Sequence, residues 1–377
     1  MQIIEKYFKE KANKVSFLEL KENSNFTIGG QLIDSNIPLP IITETLVKGI
    51  KEKTMSEDIQ VSHIIDGMIY ILGADPDFKY NDKYISILEL YNPKIENYIF
   101  FKGIKYLSEE NYDEAIVYFK AIKTINRNNV DGIFNYGICL EEKAKEYYEA
   151  DRNKEGEAFL KEATNSFESI LDIDANYYLA YYKLGYHYKN SAQYLKATLI
   201  WEKYLLLEPN DDRKQEIREQ LELINNDSLY EEACNLFFSS SYEQALDKFL
   251  KVESKVDNWW NLKYMIGLTY KELGDLESAI KYFYEALELN TEVVDLYNEL
   301  GICLYAIGSF KEAMEIFNIG IEKNHNDYKI IFNRGVAYYQ MGLYEKAELD
   351  FEMAYSLNPN DPVVQKFKEK LDSINEF

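Results

Sequence analysis

The chain has 377 residues, and 42 Lys plus Arg against 65 Asp plus Glu leave a formal net charge of −23 at pH 7. That excludes a nucleic-acid binder working through bulk charge, since neutralised phosphates supply most sequence-independent affinity, and it disfavours a role on anionic membranes, which attract basic segments. With 46% apolar and 15% aromatic residues but only 7 Pro and 17 Gly, the chain is too apolar for disorder and so sparsely punctuated that it reads as helix joined to helix by short turns.

The first ten residues mix charge into apolar positions and lack the uninterrupted apolar core of a signal peptide. No run of about 18 apolar residues occurs, so the expectation is a soluble, cytoplasmic protein. Ile4, Tyr7 and Phe8 predict a short amphipathic helix. Phe26-Thr-Ile-Gly-Gly-Gln-Leu-Ile33 reads as a hairpin with a Gly-Gly turn, and Ile37-Pro-Leu-Pro40 breaks the chain. Helical stretches follow near 41–53, 58–72 and 82–91, the last two read as a degenerate repeat. Residues 1–95 are thus a mostly helical, non-repeating region. Within them Asp75-Pro-Asp77 resembles the Asp-x-Asp metal motif of nucleotide-sugar transferases, but a helix stop after Gly73 is the stronger reading.

From there a register emerges. Gly103, Gly137, Gly185, Ala233, Gly267, Gly301 and Gly335 mark it, and the step is 34 from Gly103 to Gly137 and throughout Ala233 to Gly335. Twelve residues after most of them stand Ala115, Ala197, Ala245, Ala279, Ala313 and Ala347, and four later Phe119, Trp201, Phe249, Phe283, Phe317 and Phe351. Gly137 reaches Ala163 and Phe167 late. Small residues allow the two helices of a hairpin to cross closely, while the aromatic fills the space between neighbouring hairpins. One such hairpin cannot bury its apolar face alone and is stabilised by stacking. Over about residues 96–360 this pattern resembles the tetratricopeptide-repeat family, although only Leu184-Gly185 and Leu300-Gly301 carry its Leu-Gly pair. The resemblance implies an all-α solenoid of about seven hairpins.

Two steps are 48 rather than 34. Between Gly137 and Gly185 the extra 14 residues have helical composition, so both helices of the second hairpin should lengthen by about two turns, roughly 10 Å, and protrude. A tolerated elongation is the favoured reading and a partner-contacting finger the alternative. Between Gly185 and Ala233 the addition reads as a separate amphipathic helix, 211–225, with Ile217, Leu221 and Ile224 on one face. The expected organisation is three repeats over 96–210, this cap-like linker helix at 211–225, four repeats over 226–360, and a terminal cap over 361–377 with Val364, Phe367, Leu371 and Ile374 as its apolar stripe.

Catalytic constellations are missing. His63, His187 and His325 are scattered, and Cys139, Cys234 and Cys303 are distant and odd in number, so neither a metal site nor a disulfide framework is expected. His187 and the cysteines read as packed residues near tight crossings. No phosphate loop, nucleophile elbow or paired-histidine helix occurs, and the expectation is a non-enzyme without cofactor.

In the resembled family the first helix of each hairpin lines a concave groove. That implies a floor of Phe100, Ile104, Phe134, Ile138, Tyr182 and Tyr186 in the first stack, and of Tyr230, Cys234, Tyr264, Leu268, Asn298, Ile302, Phe332 and Val336 in the second. The alternative is that each ring packs along the stack. Around the floor, Asp131, Asp227, Glu231, Asp295 and Glu299 outnumber Lys183 and Lys329, giving an acidic groove. Asn135 and Lys329 keep single elements of the clamp with which relatives hold chaperone carboxylates, while Leu179 and Lys183 take the places of its Lys and Arg and Asn333 that of its Arg, so acidic tails are not expected as ligands. The reading is a scaffold whose groove takes a protein or peptide segment with apolar anchors and basic flanks. The alternative is a peptide-sensing regulator resembling bacterial receptors, with residues 1–95 as effector module.

Overall fold

The computed structural model describes residues 2–21, 26–51 and 60–375, with side chains described outside 49–51 and 369–375. Among the described residues it is an all-α solenoid assembled from helix hairpins, with two minute sheets near the N-terminus. None of the described helices is long and apolar enough to cross a membrane.

The N-terminal region begins with helix α1 (Gln2–Ala12) and strand β1 (Val15–Leu18). Strands β2 (Thr27–Ile28) and β3 (Gln31–Leu32) form a hairpin whose turn residues, Gly29 and Gly30, both have positive φ, 59° and 82°; such a turn matches the natural twist of the strands. Strand β4 (Leu39–Ile42) pairs antiparallel with β1, Val15 opposite Ile42 and Leu18 opposite Leu39. The segment around Pro38 and Pro40 therefore breaks helix but supports a short strand, with Leu39 and Ile41 buried. Helices α2 (Thr43–Lys51), α3 (Val61–Ala74) and α4 (Asn81–Tyr91) complete the region; part of the helical stretches expected at 41–53 and 58–72 lies outside the described residues.

Seven hairpins follow. They are α5 (Ile95–Ser108) with α6 (Tyr112–Ile125), α7 (Val130–Glu149) with α8 (Asn153–Ile173), α9 (Tyr178–Asn190) with α10 (Tyr194–Leu207), and α11 (Asp211–Phe238) with α12 (Tyr242–Glu253). Next come α13 (Trp260–Glu272) with α14 (Leu276–Leu289), α15 (Val294–Ala306) with α16 (Phe310–Lys323), and α17 (Tyr328–Gln340) with α18 (Tyr344–Leu357), before α19 (Pro362–Asn375). Short polar caps start several of them: the side chains of Asn111, Asn129, Asp275 and Asp327 accept backbone N–H bonds from the first turns of α6, α7, α14 and α17, satisfying donors that a helix start leaves open.

A methyl group on the register glycines would press on a ring of the same hairpin: Phe119 for Gly103, Phe167 for Gly137, Trp201 for Gly185, Phe283 for Gly267, Phe317 for Gly301 and Phe351 for Gly335. The repeat aromatic thus lies inside its own hairpin, directly on the glycine, which corrects the expectation that it fills the gap between neighbours. Phe119, Phe167, Trp201, Phe249, Phe283 and Phe351 are fully buried.

Three further differences from the sequence expectation have clear physical causes. The linker helix does not end at 225. It continues without interruption to Phe238, making α11 a 28-residue element, because no Gly or Pro stands between Asp211 and Phe238 to stop it. The elongated second hairpin, 20 and 21 residues in its two helices against 14 in each of α5 and α6, does not simply protrude. Helix α1 packs on its added length through Tyr7, whose ring centroid lies 5.0 Å from that of the fully buried Phe159. Finally, α3 and α4 do not form a repeat-like hairpin; α3 lies against α6, where the hydroxyl of Thr124 donates to the Leu72 carbonyl at 3.0 Å.

The chain divides into two compact units, Met1–Ser191 with Leu199–Gln215, and Ala192–Thr198 with Glu216–Phe377. In the first, the β1–β4 pair packs on α3, and α1 and α3 pack on the early hairpins. The Tyr7 hydroxyl donates to Asp113 at 2.7 Å, Lys11 pairs with the same carboxylate at 3.0 Å, and the Tyr70 hydroxyl donates to Glu114 at 3.3 Å. The second unit ends in α19, where Val364 is buried and Phe367 packs on Phe332 and Phe351 with centroids 5.1 and 5.3 Å away. Leu371 and Ile374, expected in the same stripe, have side chains outside those described.

Candidate functional site

The register locates the residues three before and one after each glycine on the first helix of its hairpin. In the first unit Phe100, Ile104, Phe134, Ile138, Tyr182 and Tyr186 are all half-buried. Their rings are anchored from below. Phe100 lies 5.7 Å from Phe119 and Phe134 5.5 Å from Phe167, while Tyr182 meets Tyr204 at 5.6 Å and Tyr186 meets Trp201 at 5.0 Å. Tyr182 and Tyr186 also touch edge to face at 5.2 Å. In the second unit Tyr230 packs on Phe249 and Trp259, Tyr264 on Phe283, and Phe332 on Phe351. Cys234, Leu268, Ile302 and Val336 are half-buried, while Asn298 is buried. Each of these rings therefore rests on a ring of the second helix of its hairpin while remaining half-buried, so packing within the hairpin and exposure coexist.

The charges on these faces are only partly free to meet a ligand. Lys183 pairs with Glu141 at 2.7 Å, and His187 Nε2 lies 2.6 Å from the other oxygen of that carboxylate. The remaining ring nitrogen of His187 is 2.7 Å from the Thr164 hydroxyl, so this buried histidine joins α7, α8 and α9. Burial works against ionised Glu141, but the His187 hydrogen bond and the Lys183 ammonium outweigh it and hold the carboxyl below its usual range. In the second unit Lys271 pairs with Glu299 at 2.7 Å. Asn298 accepts from Asn333 at 2.8 Å and donates to Glu299 at 3.3 Å, which links α13, α15 and α17 by a polar row. Glu231 accepts from the backbone N–H groups of Tyr194 and Leu195 at 3.1 and 2.8 Å and so caps the start of α10.

Glu141 and Lys271, which the sequence reading passed over, each stand four residues after a register glycine. On a helix that spacing places them on the glycine's own face, one turn along, so the spacing could have found them. Three carboxylates expected in the groove, Asp131, Asp227 and Asp295, meet no Lys or Arg at ion-pair distance among the described residues. Asp131 and Asp295 are exposed, and the Asp131 carboxylate accepts from the Tyr177 hydroxyl at 3.0 Å. Burial, reinforced by Glu231, pushes the half-buried Asp227 up. Asn135 donates to the Asp131 backbone carbonyl at 2.8 Å, and Lys329 is exposed. No group of three or more His, Cys, Asp or Glu side chains among the described residues could hold a metal ion.

Family models for the tetratricopeptide repeat match residues 271–330 and 328–361, over hairpins whose glycine, alanine and ring geometry has just been described. Over those residues the chain is built of tetratricopeptide repeats. A model described as regulator of microtubule dynamics protein 1-3 matches residues 232–296. No curated protein sequence matches the chain significantly. Among solved structures it is similar to YrrB, described as a tetratricopeptide-repeat protein with an unusual peptide-binding site, at 19% identity over 67% of this chain and 97% of that one, TM-score 0.30. It is similar to MamA of MSR-1 at 18% identity over 48% and 97%, TM-score 0.37, and to the first repeat domain of Spaghetti (RPAP3) bound to an HSP90 peptide at 20% identity over 32% and 98%, TM-score 0.30. This tetratricopeptide-repeat protein thus has the fold of a protein-interaction scaffold, an architecture that is generally non-enzymatic.

Proposed function

We propose that this tetratricopeptide-repeat protein captures a segment of a partner protein on the first-helix faces of its hairpins, and that the segment carries apolar anchors flanked by Lys or Arg. The observation that supports this reading is the uneven use of charge. Lys183 and Lys271 are already paired within the fold, while among the described residues Asp131, Asp227 and Asp295 have no Lys or Arg at ion-pair distance. A segment that laid apolar side chains on Phe134, Tyr182 and Tyr186 would gain affinity from burial, and basic flanks would gain selectivity and faster encounter from the carboxylates. An acidic segment would meet like charge instead, which disfavours it.

Selection from a displayed library of random peptides tests this. The wild-type chain should enrich peptides with aromatic or aliphatic anchors next to Lys or Arg. A Tyr182→Leu, Tyr186→Leu variant should bind them at least about tenfold more weakly at unchanged helicity, since Leu keeps the floor apolar but removes two aromatic anchors. Enrichment of acidic peptides, or equal binding by the variant, would refute the reading.

A further inference from the structure

The register aligns the second helices of the hairpins as well as the first. The residues two, six and ten places after the register alanine are Val117, Ala121 and Ile125 in α6, and Leu349, Met353 and Leu357 in α18. Spaced by four, they form an apolar stripe along one side of the helix. The five second helices between α6 and α18 each interrupt it with one or more polar residues: Asn165 and Ser169 in α8, Lys203 in α10, Asp247 and Lys251 in α12, Lys281 and Glu285 in α14, and Glu315 and Lys323 in α16.

In α6 the stripe is covered by a helix. There α3 crosses so closely that Gly73 has no room for a Cβ beside the Val117 carbonyl, and Val117 and Ala121 have no exposed surface. The hydroxyl of Thr124, on the same face, donates to the Leu72 carbonyl at 3.0 Å. In α18 the equivalent side chains stand open: Leu349 is 67% exposed, Met353 40% and Leu357 36%. Beside them Glu345, Glu348 and Glu352 follow one another at single-turn spacing, and Lys346 is the one cation in the sequence of this helix. Glu352 is met by Lys368 at 3.3 Å, and Glu345 is exposed. A second copy of α18 would bring carboxylates against carboxylates, so charge selects against self-pairing and for a helix with Lys or Arg beside its apolar stripe.

We propose that the outward face of α18 is a docking surface for one amphipathic helix of a partner protein, at the register places where α6 receives α3. Leu349, Met353 and Leu357 meet the apolar stripe of that helix, and Glu345 and Glu352 meet its flanking cations. The surface is separate from the first-helix faces and does not depend on them.

The test uses the full chain and two synthetic helical peptides that share a Leu stripe at i, i+3, i+4 and i+7 spacing and differ in carrying Lys or Glu beside it. By fluorescence anisotropy the Lys peptide should bind at least about tenfold more tightly than the Glu peptide, and amide exchange should slow in α18. A Leu349→Glu, Met353→Glu variant carries the residue type that Glu315 and Glu285 already supply at these register places, so helicity should be unchanged. It should bind the Lys peptide at least about tenfold more weakly, because two apolar anchors are lost. Charge attraction alone would tighten binding instead, since the variant is more acidic. Absent binding of the Lys peptide, equal binding of the two peptides, undiminished binding by the variant, or protection confined to α13, α15 and α17 would each overturn the proposal. So would a concentration-dependent dimer of the parent chain that the variant abolishes, which would assign the face to a second copy.

Discussion

The seating of the N-terminal region on the repeats depends on Gly73, and a single methyl group tests it. Helix α3 passes α6 so closely there that a Cβ on Gly73 would overlap the Val117 carbonyl oxygen, lie 2.8 Å from its carbonyl carbon and 2.9 Å from its Cγ1. Carbon atoms pack favourably at about 3.5–4.0 Å, so α3 would have to withdraw by about 1 Å at the crossing. The obstacle is backbone, which has no rotamer to escape into. Withdrawal also strains the bond from Thr124 to the Leu72 carbonyl and loosens Met68, Ile69 and Leu72, none of which has exposed surface. Overpacking of this kind costs about 1–3 kcal/mol, against a gain of at most about 1 kcal/mol from Ala over Gly in a helix. Because Gly73 is the penultimate residue of α3, the gain should be small, and Gly73→Ala should be net destabilising by about 1–3 kcal/mol. Urea unfolding followed by circular dichroism gives the total, and amide exchange should place the loss in α3 and α6. Because repeat arrays need not unfold as one unit, the exchange data decide where two-state fits fail. A Gly73→Ala chain as stable as the parent would show that the crossing is looser than described.

Two electrostatic predictions follow from paired carboxylates. Burial alone would raise the Asp113 carboxyl, but the Tyr7 hydroxyl with Lys11 and Lys143 holds it down to about 2. Its folded value lies below the ordinary one, so its stabilisation is complete above about pH 4 and is lost as pH falls through about 2; amide protection of α1 should fade over that window, and at higher pH in Tyr7→Phe. Glu141→Gln should cost about 1–3 kcal/mol by leaving Lys183 without its counter-charge at a half-buried site, whereas Glu142→Gln, which breaks a pair with the largely exposed Lys145, should cost less than about 0.5 kcal/mol. Matched thermal melts compare the two, and equal losses would remove the distinction between the pairs.

The repeat architecture was legible because its cause is periodic. A glycine at each crossing and a ring at a constant distance after it recur in fixed register, so the positions Gly267 with Phe283 or Gly301 with Phe317 can be read from the sequence. The seating of each ring on the glycine of its own hairpin is visible only in the fold. The candidate floor was legible in part: the register locates Phe134 and Tyr182, but their support by Phe167 and Tyr204 depends on a second helix whose position spacing only implies. The pairing of β1 with β4 was missed because Val15–Leu18 and Leu39–Ile42 are short and distant in the chain, and Pro38 and Pro40 read as breakers. The ion pairs that absorb Glu141 and Glu299 were missed because side chains on different helices choose partners by distance, which sequence spacing does not report.

Local chemistry by itself determined the helices, their hairpin register and the acidic, aromatic character of the chain, since these follow from composition and from periods of a few residues. Only the tertiary structure decided that α1 covers the elongated second hairpin, that α11 runs unbroken from Asp211 to Phe238, and which charges are already used. The reason is that burial, close backbone crossings and ion pairs are properties of residues brought together from far apart, and their free energies exist only once those residues meet.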